Sequence, residues 1–141
     1  MIRMKVLGVL VPLVILAVVV SDARAEKKAV KLEKEWKGSV DDEALAKDAP
    51  AVIVEATALE TLWNAWKIQG KVPAVDFKKE LIIITTTSGS KLRLSASFDD
   101  KGNLEVLGMA TRDLRPRFRY VIATVSRTGV KTVNGNKLPK E

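Results

Sequence analysis

Arg112, Arg115, Arg117 and Arg119 crowd one short segment, Arg112-Asp113-Leu114-Arg115-Pro116-Arg117-Phe118-Arg119-Tyr120. A guanidinium presents a planar fork of N–H donors that grips a carboxylate or a phosphate through two parallel hydrogen bonds. In an extended chain the side chains repeat every second residue. Arg115, Arg117 and Arg119 are therefore expected on one side of the segment, with Phe118 and Tyr120 on the other. That arrangement suits an anion or an acidic protein surface. It equally suits a solvated strand edge whose arginines discourage pairing with other edges.

The other constellations offer less chemistry. The chain has no histidine and no cysteine, which closes Ser-His-Asp and Cys-His catalysis and every metal site built on those ligands. Carboxylate pairs, Ser-Lys dyads and sites for a hard cation are left. Ser88-Gly89-Ser90-Lys91 has the S-x-x-K spacing, but a lysine activates that serine only from one helical turn away. Here the four residues read as a β-turn, and the companion motifs S-D-N and K-T-G are absent. Asp99, Asp100 and Asn103 supply oxygens of the kind calcium takes. Such a loop needs six or more oxygens, and Glu105 stands too close to be its distal ligand, so the run reads as a hairpin turn. Glycoside hydrolysis needs two carboxyls facing across a cleft, and no pair is singled out by an apolar setting. The expectation is a chain without catalytic residues, metal or cofactor.

Elements that position these residues follow from the hydrophobic pattern. Val30, Leu32, Trp36 and Val40 alternate with charged residues, as a half-buried strand ending near Val40 requires. Asp41-Asp42-Glu43 opens a short turn or helix closed by Pro50, and residues 51–55 form a brief buried strand. Leu59, Leu62, Trp63 and Trp66 recur at i, i+3, i+4 and i+7, which predicts a helix over 58–69 with one apolar face. Thr57 and Glu60 match a capping box at its start, and Gly70 with Pro73 marks its end. Leu81 to Thr86 is a β-branched run of the kind buried on both faces. Residues 92–98 alternate with one wet face, and Asp99 to Asn103 turns the chain with Gly102 at positive φ. Further strands are expected over 104–111 and 119–127, and a short hairpin around Asn134-Gly135. The whole reads as α+β: a mostly antiparallel meander packed against one main helix.

The N-terminus gives an address. Arg3 and Lys5 precede an apolar run, Val6 to Val20, and Ala23-Arg24-Ala25 offers a small-x-small cleavage site. This is the layout of a secretory signal peptide over 1–25, cut after Ala25 or alternatively after Ala23. The run is too short for a span, which needs about 20 residues, so no stable membrane span is expected after cleavage. Residues 26–35 read as a charged arm and 36–141 as one domain. The formal charge of +7 falls to +5 once Arg3, Lys5, Arg24 and Asp22 leave with the leader. A moderate positive charge on an exported chain favours acidic proteins or anionic envelope polymers over nucleic acid.

A resemblance adds to this. Leu59-Glu60-Thr61-Leu62-Trp63, then Pro73-Ala74-Val75-Asp76-Phe77-Lys78-Lys79-Glu80-Leu81 and an apolar strand, are similar to small secreted domains related to the C-terminal domain of PrcB, a subunit of an exported bacterial protease complex. The similarity spans residues 57–127 and is sharpest from Pro73 to Leu81. The family turn has a threonine-glycine-glycine-tyrosine character where this chain has Ser88-Gly89-Ser90-Lys91. The resemblance implies a non-catalytic accessory role beside other exported proteins. The residues of the motif also have a local reading: Asp76 accepts N–H bonds from its own turn, and Phe77 packs beneath the helix. The expected function is a non-enzymatic exported module that recognises a protein partner in the envelope. The arginine segment is its contact. An anionic envelope polymer bound through the same arginines is the alternative, and a carboxylate-dependent hydrolase is a third reading.

Overall fold

The structure, a computed structural model, describes residues 27–140. The expected leader lies outside the described residues. Among those described, nine strands, a 3-10 helix and one α-helix follow along the chain: β1 (Lys28–Val30), β2 (Lys34–Val40), the 3-10 helix (Glu43–Asp48), β3 (Val52–Ile53), α1 (Ala56–Ala65), β4 (Glu80–Thr87), β5 (Leu92–Phe98), β6 (Asn103–Ala110), β7 (Phe118–Ser126), β8 (Thr132–Val133) and β9 (Asn136–Lys137). The fold is α+β, as the pattern predicts, with all of these strand pairs antiparallel except β6 with β8.

The strands divide between two sheets, ordered β1-β5-β6-β8-β9 and β2-β7-β4-β3. A simple meander is therefore not what forms: β4 and β5 are neighbours in sequence but lie in different sheets, and β7 inserts between β2 and β4. The cause is visible in β4 and β7, which are apolar on both faces and must be covered on both. On one face Leu81, Ile83, Val121, Ala123 and Val125 meet Leu94, Ala96, Leu104 and Val133 of the first sheet. On the other, Ile82, Ile84, Phe118, Tyr120 and Ile122 meet Leu59, Leu62, Trp63 and Trp66 of the α1 segment. The second sheet is thus the middle of three layers. Phe77 packs against the helix-side core, and Asp76 Oδ1 accepts the Lys78 N–H at 3.1 Å, as expected of both.

The helix differs from expectation at both ends. It starts at Ala56 after Glu55, so Thr57 already sits inside the first turn and makes no cap; its carbonyl instead accepts the Thr61 hydroxyl at 2.9 Å. At the other end the left-handed stop falls on Lys67, at φ 53°, while Gly70 takes its expected positive φ, 90°, three residues further on. The Lys67 N–H reaches the Asn64 carbonyl and the Ile68 N–H reaches the Trp63 carbonyl, both at 3.1 Å. These two bonds form a Schellman stop. Trp63 explains the early end: its indole N–H donates to the Gly70 carbonyl at 3.3 Å, folding the following turn back on the helix.

The expected charged arm also needs correction. Lys28, Ala29 and Val30 pair with Phe98, Ser97 and Ala96 as an added strand of the first sheet. Val30 and Leu32 pack against the core between the sheets, and that burial draws the segment in.

Candidate interaction surface

The arginines lie where the β4–β5 turn, residues 88–91, meets the β6–β7 connector, residues 111–117. Backbone and side-chain bonds pin the two together. The Arg115 N–H donates to the Ser88 carbonyl at 2.9 Å and the Thr111 N–H to the Lys91 carbonyl at 3.2 Å. Asp113 Oδ1 accepts the Ser90 N–H at 3.0 Å, and Thr111 Oγ1 accepts the Lys91 N–H at 3.1 Å. Gly89 is what allows the contact. A Cβ there would lie 2.3 Å from the Thr111 carbonyl oxygen, a backbone atom that cannot swing aside. Gly89→Ala is expected to loosen the clamp, read as faster amide exchange at Ser90 and Lys91.

Hydrogen bonds from Thr111, Ser90 and Arg115 hold the Asp113 carboxyl well below the usual carboxylate range. A depressed folded value means that its contribution to stability is present above the unfolded value, about pH 3.9. That contribution fades only as pH falls below it. The clamp should therefore survive mild acid, and an NMR titration should find the Ser90 amide shift constant down to about pH 4.

The four arginines do not share one face. Arg117 adopts φ 72° because Glu43 Oε1 accepts its N–H at 2.9 Å and its guanidinium pairs with Asp41 at 3.0 Å. That turn breaks the alternation, and extended structure resumes only at Phe118. Arg115 pairs with Asp113 at 3.1 Å. Arg119 spends its donors on main-chain carbonyls: Pro116 at 2.9 Å, Ser88 at 3.2 Å and Arg117 at 3.4 Å. Its role is to close the connector. Arg112 is exposed and makes no hydrogen bond or ion pair among the described residues. Phe118 and Tyr120 do point away from Arg119, into the core beneath the helix.

Two features of this region are not apparent from the arginine pattern. Leu114, in the middle of the connector, is 86% exposed, the most open of the large apolar side chains among the described residues. At the start of the same connector, Thr111 borders a shallow cleft of about 580 Å³. Lys37, Lys91, Arg93 and Met109 also line it, and no carboxylate is among its lining residues. Lys37 reaches this cleft from the other sheet, a juxtaposition that sequence spacing does not reveal. Leu114 had a visible signal, a lone aliphatic residue set among charges in a turn segment.

The remaining candidates resolve as local structure. Residues 88–90 form a bend, with Ser90 Oγ bonded to Thr111 Oγ1 at 3.2 Å. Asp99 Oδ1 accepts the N–H groups of Lys101 and Asn103, both at 2.9 Å, and Gly102 turns at φ 92°, as the hairpin reading predicts. Trp36 stacks edge-on against Trp63 with ring centroids 6.0 Å apart. Comparison of the chain with protein families, with curated proteins and with solved structures finds no match.

Proposed function

We propose that the chain is a non-enzymatic, exported binding module that recognises a protein partner in the cell envelope through the 111–117 connector. Leu114 carries the reading. It is an exposed apolar side chain on a backbone already held by bonds from Ser88, Ser90, Lys91 and Glu43. Interfaces draw most of their affinity from a few such anchors, and a loop fixed in advance loses little entropy on binding. Arg112 and Arg115 flank the anchor and complement an acidic rim. The similarity to PrcB-type domains supports an exported protease as the partner, and the leader supports export. No helix among the described residues is long and apolar enough to cross a membrane.

Crosslinking capture from a native envelope extract, at low and moderate salt, tests this. One or two proteins should survive moderate salt and be lost with Leu114→Asp, and Leu114→Ala should weaken their binding by about tenfold or more. Capture indifferent to Leu114→Asp and Arg112→Glu overturns the assignment. The cleft lined by Lys37, Lys91 and Arg93 favours a second reading, the anionic envelope polymer. Its signature is a diffuse signal that fades steadily with salt and is abolished by Lys91→Glu with Arg93→Glu.

A further inference from the structure

Strand β6 has one edge that is almost bare. Its inner edge pairs with β5 along the whole length, from Leu104 with Phe98 to Ala110 with Leu92. Its outer edge pairs with β8 only at Asn103 and Leu104. Asn134 then occupies the next position, its Oδ1 accepting the Val106 N–H at 2.8 Å. Beyond it, Gly108 and Ala110 are exposed, and neither makes a hydrogen bond on that edge among the described residues. Antiparallel geometry directs their N–H and C=O groups outward, because the Asp99–Asn103 and Lys91–Thr111 bonds assign the odd-numbered residues of β6 to the β5 side. Edges of this kind are normally blunted by lysine, proline or a bulge. The run Leu107-Gly108-Met109-Ala110 has none of these, and Leu107 and Met109 stand 55% and 48% exposed on one face of the sheet.

We infer that this edge pairs with the same edge of a second copy, antiparallel about a twofold axis at Gly108, to give a homodimer with one continuous sheet. The segment is self-complementary in that register. Leu107 falls opposite the partner copy's Met109 and Val106 opposite its Ala110, so the exposed apolar residues of both copies cover each other. Gly108 pairs with its counterpart through two hydrogen bonds. The Ala110 N–H of each copy meets the Val106 carbonyl of the other, which Asn134 leaves free. The pairing ends there on each side, because Asn134 of the same chain stands beside Glu105, its N–H on the Leu104 carbonyl and its Oδ1 on the Val106 N–H. The inference stands on the β6 edge and not on Leu114, so it does not rest on the partner-binding proposal.

The chain's lack of cysteine makes the register testable by disulfide trapping. The protein purified from expression of the full chain is compared with Leu107→Cys/Met109→Cys under mild oxidation. Opposed residues at this type of site stand about 4.5 Å apart at Cα, within disulfide reach, and a covalent dimer should form on a non-reducing gel. Sedimentation equilibrium should find a dimer for the wild type. It should find monomers for Leu107→Lys/Met109→Lys, which sets like charges across the axis, and for Ala110→Pro, which removes an outward N–H while sparing the β5 ladder. Circular dichroism confirms that each variant keeps its strands. A wild type that stays monomeric at its highest soluble concentration overturns the inference. So does a dimer that neither variant disrupts. A monomer whose Gly108 and Ala110 amides become protected only when an extended peptide is added also overturns it, in favour of a foreign strand.

Discussion

Phe118→Ala should cost about 3–5 kcal/mol of folding free energy, the range for emptying a large aromatic site in a packed core. Phe118 is 1% exposed and meets Trp66 edge-to-face at a centroid distance of 5.3 Å. Trp66 in turn lies 5.3 Å from Tyr120, so three rings lock the end of α1 to the start of β7. The site cannot collapse to fill the gap. One wall is the β2 pairing of Val40 with Phe118 and another is the helix. Urea denaturation gives the measurement: the midpoint should fall with the slope unchanged, the mark of lost stability in an unchanged fold.

Arg119→Glu should be the second most damaging change, and its effect is on the fold rather than on a partner's charge. The guanidinium donates to the carbonyls of Pro116, Ser88 and Arg117. A carboxylate has no donor to offer them, and it brings negative charge against three carbonyl dipoles. Hydrogen bonds to charged groups contribute about 1.5–3 kcal/mol, and a loss of about 2 kcal/mol is expected. Arg112→Glu, on an exposed side chain, should leave the melting temperature where it was. Thermal unfolding of the two variants side by side tests the distinction. Equal stability would mean that Arg119 does not close the connector.

The sequence is legible where one physical cause dominates. Leu59, Leu62, Trp63 and Trp66 needed only helical periodicity, and all four are buried. The two-sided burial of Leu81 to Ile84 could be read from an unbroken apolar run, and the Asp99–Asn103 turn from its glycine. What escaped reading depends on distant partners. Nothing local marks Lys67 as the left-handed residue at the helix stop, because the determining contact is the Trp63 indole on the Gly70 carbonyl. The arginine segment fails as a regular face for the same reason. Glu43 and Asp41, remote in sequence, impose positive φ on Arg117, and no alternation rule anticipates that. Division into two sheets was hidden because β4 and β7 each need two covers, and a pattern of burial does not say which strands supply them.

The position of β7 has a consequence for the order in which the chain can fold. It pairs with β2 from Lys34↔Thr124 to Val40↔Phe118 and with β4 from Glu80↔Ser126 to Thr87↔Arg119. Neither face of the middle layer can be completed until the strand that ends at Ser126 is present. Everything synthesised earlier, α1 included, has an apolar surface without its final cover. Long-range pairing of this kind makes closure slow compared with a helical bundle of similar size. Such a delay keeps the core from closing around a half-made chain.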